Sequence, residues 1–169
     1  MSSTLSVRRI AVGQGAEYRE LRSAALHEPY APGEASDTDL PLDARTAEAI
    51  AVQRAGSDAS ATFLLYTEGH PAGMIGAYFE AGFARRAFVS ELWVAHAVRH
   101  LRGGALLLDT ACVWLRERGA AEIFAWIAVQ NHDAIRFYEH AGFVDTGERG
   151  PATRLPGTLK GLFLSRDFA

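Results

Sequence analysis

Lysine and cysteine are almost missing from this chain: Lys160 and Cys112 are the only ones among 169 residues. A single cysteine excludes an internal disulfide and any metal site assembled from several thiolates, and nothing else in the sequence calls for a metal. Cys112 lies within a stretch of helical apolar spacing, where a thiol acts as a small buried filler. Arginine carries the positive charge instead, and the formal net charge of −3 gives no reason to expect a nucleic-acid partner. No apolar run reaches the roughly 18 residues of a membrane-spanning helix. Met1–Arg9 also lacks the apolar segment of a signal peptide, so the expectation is a cytoplasmic protein without a membrane partner. With no internal repeat, low-complexity tract or linker, residues 1–169 read as one domain, long enough to enclose a substantial core.

What the chain does have is one well-marked stretch, Phe88 to Gly119. Residues 88–94 are β-branched, aromatic and aliphatic at strand length, and residues 105–118 carry apolar side chains at helical spacing, with Gly119 as a stop. Between them runs a basic turn that ends in Gly103-Gly104. A strand feeding such a turn into a helix presents unpaired backbone N–H groups at the positive end of the helix dipole, an arrangement suited to a phosphate.

Around this stretch, Leu5–Val12 reads as a strand and Ala16–His27 as a helix, ended by the proline and glycine of Glu28–Gly33. Glu34–Asp43 is an acidic, small-residue segment that reads as a loop or a short ragged helix, and Asp43–Arg54 as a second helix that stops at Gly56. Ala61–Thr67 and Gly73–Glu80 are strands joined by hairpin chemistry at Glu68–Ala72, so with the 88–94 strand they form three consecutive antiparallel strands. Ala121–Val129 is a strand reached through a crossover helix and therefore parallel to 88–94. Asp133–Ala141 is helical with Gly142 at the left-handed stop, and Phe143–Glu148 and Leu159–Leu164 are strands joined by the loop Arg149–Thr158.

This order resembles that of the GNAT N-acetyltransferase superfamily. Arg99, His100, Leu101, Arg102, Gly103 and Gly104 align with the family's turn of Arg or Gln, two variable residues, Gly, one variable residue, and Gly or Ala; Arg102 stands where the family has its middle glycine. Asn131, Ala134, Tyr138, Gly142 and Phe143 match its downstream signature closely. The resemblance spans about residues 61 to 165 and implies an α/β (α+β) GNAT-like fold. That fold would be a mixed central sheet of six to seven strands with roughly four helices, its two central parallel strands splayed around the cofactor.

It further implies acetyl-coenzyme A as co-substrate. The pyrophosphate would rest on the amides of Arg99–Gly104 and Ala105, and the pantetheine arm would run beside the main chain of Leu92, Trp93 and Val94, with Asn131 bonding that arm or capping its own helix. Tyr138 would be the general acid for the departing thiolate, since a phenol stays protonated at neutral pH. The family's glutamate bases would fall at Val89 or Trp126, so Glu91 would substitute as base, directly or through water: by the period-two rule it shares a face with Val89 and Trp93, opposite Phe88, Ser90, Leu92 and Val94. The implied activity is acetyl transfer to a primary amine of a small molecule or peptide. Acceptor choice would fall to His27–Gly33, residues 34–43, the His70 hairpin and Arg149–Thr158. Glu28, Glu34, Asp37 and Asp39 would suit a cationic acceptor there, and Trp93, Trp126 and Tyr30 could line an aromatic pocket, although large strand aromatics usually belong to the core. The competing readings are a GNAT-fold regulatory module that binds an acyl-coenzyme A without turnover, and a structural dimerisation domain; a homodimer is open under all of them.

Because contacts to a pyrophosphate are electrostatic, acetyl-coenzyme A affinity measured by calorimetry should fall as salt is raised. A salt-independent affinity would mean that Arg99 and Arg102 point away from the nucleotide.

Overall fold

A computed structural model describes residues 4–27, 42–82, 85–151 and 160–167. The acidic and proline-containing segment from Glu28 onward, Tyr30, and most of the 149–158 loop lie outside the described residues, as do the acceptor-choosing roles expected there. In chain order the elements are β1 (Leu5–Arg9), α1 (Gly15–Ala25), α2 (Ala44–Gly56), β2 (Ser60–Thr67), β3 (His70–Phe79) and β4 (Ala87–Val94). A 3₁₀ turn at His96–Leu101 follows, then α3 (Gly103–Glu117), β5 (Glu122–Ala128), α4 (His132–His140), β6 (Val144–Pro151) and β7 (Lys160–Asp167).

The strands form one mixed sheet in the order β1-β2-β3-β4-β5-β7-β6. The β1–β4 ladder is antiparallel throughout, β4 and β5 are parallel, and β7 pairs antiparallel to β5 on one side and β6 on the other. The expected strand directions are therefore found; the insertion of β7 between β5 and β6 was not foreseen. The hairpin between β2 and β3 is tighter than expected. Glu68 and Gly69, with φ of 49° and 81°, form the whole turn, and Thr67 already pairs with His70. The helix after the basic turn also starts earlier than apolar spacing indicated, at Gly103.

Two cores flank the sheet. On one face Leu107, Leu108, Ala111, Cys112 and Leu115 of α3, with Tyr138 of α4 and Phe143 just beyond it, pack against Phe63, Leu65, Ile75 and Val94. On the other, Tyr18, Leu21 and Ala25 of α1 and Ala51 of α2 pack against Leu64, Tyr66 and Met74. No helix among the described residues is long and apolar enough to cross a membrane.

The pairing of α1 with α2 depends on Gly15. A Cβ there would lie 2.5 Å from both the Cα and the N of Glu48, backbone atoms that cannot turn aside. The close approach lets the Glu48 carboxylate accept from the N–H groups of Gly13 and Gly15 at 2.8 and 2.9 Å, which neutralises the start of α1. Alanine normally favours a helix over glycine by about 1 kcal/mol, but overpacking against fixed backbone costs about 1–3 kcal/mol. Gly15→Ala should therefore lower the thermal midpoint, read by circular dichroism, and an unchanged or raised midpoint would contradict this packing.

Candidate functional site

The two parallel strands separate almost at once. β4 and β5 pair only at Ala87–Ile123 and Phe88–Phe124, although β4 stays on β3 as far as Val94 and β5 stays on β7 as far as Ala128. From Val89 onward the β5-facing edge of β4 has no strand partner among the described residues, so a gap opens toward the C-terminal ends of both strands. The gap begins beside a bulge. Met74 pairs with Trp93 and Gly76 with Ser90, so Ile75 alone opposes Glu91 and Leu92. Glu91 takes a left-handed φ of 56° to achieve this, at a cost of about 1–2 kcal/mol for a residue with a Cβ.

The bulge overturns the strict alternation expected for β4. Val89, Leu92 and Val94 all belong to the α3 side, Phe88 packs with Phe124 instead of with Leu92 and Val94, and Trp93 packs against the α1–α2 core. Glu91 remains on the Trp93 side, as its expected role requires, but Val89 does not share that face. Period-two reasoning fails here because one inserted residue resets the phase of everything after it.

At the end of β4 the Arg99 Nε donates to the carbonyl of Val94 at 2.8 Å, folding that side chain back on the strand. His96 and His100 are exposed and Leu101 packs against the α3 core. Arg102 ends the 3₁₀ turn and begins α3 with φ 64° and ψ 29°. It thus adopts the left-handed conformation that glycine would take without penalty. Gly103 and Gly104 do not form the turn; they are the first residues of α3 and serve close packing. A Cβ on Gly103 would come within 2.6 Å of Leu65 Cδ2, and one on Gly104 within 3.3 Å of the Phe137 ring.

The start of α3 is chemically unlike those of the other described α-helices. Glu48 covers the first amides of α1, Asp43 accepts from Thr46 N at the start of α2, and Asn131 accepts from Ala134 N at the start of α4. Alpha-helix α3 has no side-chain cap and no acidic residue in its first turn. The first main-chain bond into it is from Leu106 N to Arg102 O, leaving the amides of Gly103, Gly104 and Ala105 without a partner among the described residues. Bare amides at a positive helix end form an anion site.

Of the two signature residues beyond the gap, Asn131 acts as the cap just described. Tyr138 is 3% exposed, with its ring edge-on to Phe137 and Phe143 at 5.4 and 5.1 Å between centroids. Burial, and then the neighbouring Cys112, raises its pKa above the usual phenol value, so the hydroxyl holds its proton at neutral pH. Burial likewise pushes the Cys112 thiol up to about 11, which leaves it no part as a nucleophile.

On the opposite face, Glu91 belongs to a network that sequence reasoning did not find. Tyr18, fully buried, donates its hydroxyl to Glu91 Oε2 at 3.1 Å. Arg54 Nη1 lies 3.5 Å from the same oxygen, donates to Tyr18 Oη at 3.3 Å, and donates to Thr62 Oγ1 at 2.8 Å. Burial first, then the Glu91 carboxylate, raises the Tyr18 pKa, so the phenol stays a donor. These partners lie 36 and 73 residues apart in sequence, and no local pattern announces them. Along β5, Ile123 and Ala125 face α3 while Phe124 packs with Phe88 across the sheet. Trp126 follows Phe124 in phase and is 43% exposed instead of core.

Residues 18–143 match the model of the acetyltransferase (GNAT) family. Among solved structures, the chain is similar to the acetyltransferase of GNAT family from Streptococcus pneumoniae, at 20% identity and a TM-score of 0.81, covering 98% of this chain and 100% of that one. It is similar also to yncA of Salmonella typhimurium, whose structure holds its cofactor acetyl-CoA, at 21% identity and a TM-score of 0.79 over 99% and 95% of the two chains. The ribosomal-protein-alanine N-acetyltransferase from Brucella melitensis superposes with a TM-score of 0.79 at 18% identity, over 96% and 99%. No curated protein matches the chain.

Arg102→Gly should relieve the left-handed strain, partly offset by the greater freedom of glycine in the unfolded chain, for a net gain of about 0.5–1 kcal/mol. For a chain of this size the melting temperature should rise by roughly 1–4 °C. A lower melting temperature would show that the guanidinium is itself a structural contact.

Proposed function

The chain belongs to the GNAT acetyltransferase family, and from that premise we propose that it transfers the acetyl group of acetyl-coenzyme A to a primary amine of a small molecule or peptide. The observation that carries this reading is the coincidence of the bare α3 amides with the gap between β4 and β5. A pyrophosphate on Gly103, Gly104 and Ala105 suits the positive helix end, and Arg102 and Arg99 stand beside it to add charge. The pantetheine arm would then enter the gap as a substitute strand against Leu92 and Val94, since the pairing alternation of β3 with β4 turns the Trp93 main chain toward Met74 instead. Val94 already gives one acceptor direction of its carbonyl to Arg99, so its amide and its second lone pair are what remain for that arm.

The reaction follows from this placement. The amine attacks the thioester carbonyl carbon, a C–N bond forms and the C–S bond breaks, and the departing sulfur takes a proton from the Tyr138 hydroxyl. Burial suits that hydroxyl to the role by keeping it protonated, although the same burial makes the proton harder to give until a thiolate develops beside it. Glu91 receives the proton lost by the amine, directly or through water. Tyr18 and Arg54 both engage its Oε2, leaving Oε1 for the acceptor side. Trp126, exposed on the sheet face it shares with Trp93, favours an acceptor with some apolar surface.

A coupled thiol-release assay over a panel of small amines and peptide N-termini tests the reading. Turnover should appear with at least one acceptor and drop by roughly a hundredfold in Tyr138→Phe while acetyl-coenzyme A affinity is kept. Tight acetyl-coenzyme A binding with no thiol release for any acceptor would make the chain a non-catalytic acyl-coenzyme A module.

A further inference from the structure

The Glu91 network lies on the far side of the sheet from α3, away from the bare amides and from Tyr138, yet it grips the residue on which the shape of the gap turns. We propose that Arg54 and Tyr18 are positioning residues. By holding the Glu91 carboxylate from the α1–α2 side, they keep the β4 bulge formed and so keep the main chain of Leu92 and Val94 presented to the gap. The proposal rests on the reading that acetyl-coenzyme A occupies that gap.

Three observations converge on it. Glu91 has a backbone conformation that residues with a Cβ rarely adopt, with φ of 56° in mid-strand, whereas the other left-handed residues with a Cβ lie between strands or at a helix start. Its carboxylate is held at one oxygen by two groups from two different helices, at 3.1 and 3.5 Å. The holding groups are themselves fixed. Arg54 bonds Thr62, which is fully buried, lays its guanidinium over the Tyr18 ring at 5.4 Å, and has its own carbonyl bonded by Arg9 Nε at 3.0 Å. A half-buried ionic cluster is a poor source of stability when an apolar cluster would fill the same space. Fixing one local geometry is what such a cluster does better, and the geometry it touches is the point where β4 leaves β5. A regular β4 in place of the bulge would carry Leu92 and every later residue to the opposite face.

Calorimetry with acetyl-coenzyme A separates this role from a merely stabilising one. Tyr18→Phe and Arg54→Met, each checked for a native circular dichroism spectrum, should bind about tenfold more weakly than the unaltered chain. In the Glu91→Gly, Arg54→Met double variant, glycine takes the left-handed φ without help, and affinity should return to within about twofold of the original. Because Tyr18→Phe keeps the ring and its packing, it decides the matter even if Arg54→Met does not fold. Unchanged affinity in folded Tyr18→Phe would overturn the proposal, as would a folded double variant that binds no better than folded Arg54→Met. An unaltered chain that gives no heat with acetyl-coenzyme A would instead overturn the functional reading on which the proposal rests.

Discussion

Everything about the site depends on two parallel strands that share two register pairs and then diverge. Parallel strands in the interior of a sheet ordinarily stay paired, because each buried N–H and C=O left alone costs free energy comparable to a lost hydrogen bond. Here β4 pairs with β5 at Ala87 and Phe88 only, and the chain sustains the departure by fastening β4 firmly on its other side. The β3 ladder continues to Val94, and glycines line it where a Cβ could not fit: one on Gly73 would lie 2.8 Å from the Trp93 carbonyl oxygen and one on Gly76 2.9 Å from Ser90 Oγ. An opened edge in the interior of a sheet is a place for an extended ligand to act as the missing strand.

The same logic governs the helix ends. Glu48, Asp43 and Asn131 each satisfy amides at the start of a helix, two of them from a flanking residue and one from a neighbouring helix. Only α3, among the described α-helices, begins with glycines and no acceptor nearby. A capping residue there would have gained about 1 kcal/mol, and the fold leaves that gain unused at the one end that opens beside the parted strands. The left-handed Arg102 adds a second small cost at the same point. Local costs gathered in one place, with stability supplied elsewhere by two well-filled cores, are what a binding site imposes on a fold.

How much of this was legible in the sequence depends on the range of the interaction concerned. Elements set by neighbours were readable. Gly142 does end α4 in the left-handed region, at φ 93°, and Asn131 does sit at its start, because caps and stops are decided within four residues. Strand directions also followed, since a two-residue turn forces an antiparallel pair and a crossover helix a parallel one. The bulge was not readable: Val-Ser-Glu-Leu-Trp-Val alternates no worse than a regular strand, and only the pairing with β3 reveals the extra residue. Gly103 and Gly104 were visible as glycines, but their duty against Leu65 and Phe137 depends on segments dozens of residues away. The Tyr18–Arg54–Glu91 cluster brings together two helices and a strand, and its arginine looks in sequence like one more charge near the end of an alanine-rich helix.

The position of β7 bears on how the chain reaches this state. Strand β6 touches the sheet only through β7, which pairs with β5 along its whole length. A nascent polypeptide therefore emerges with β6 unable to join anything until the residues after it arrive and slip between it and β5. Assembly of that half of the sheet waits for the residues of β7, and closing it demands contacts between segments distant in sequence, the slow kind in folding kinetics. During that wait β5 presents an unpaired edge carrying Phe124, Trp126 and Ile127, an aggregation hazard until β7 is in place.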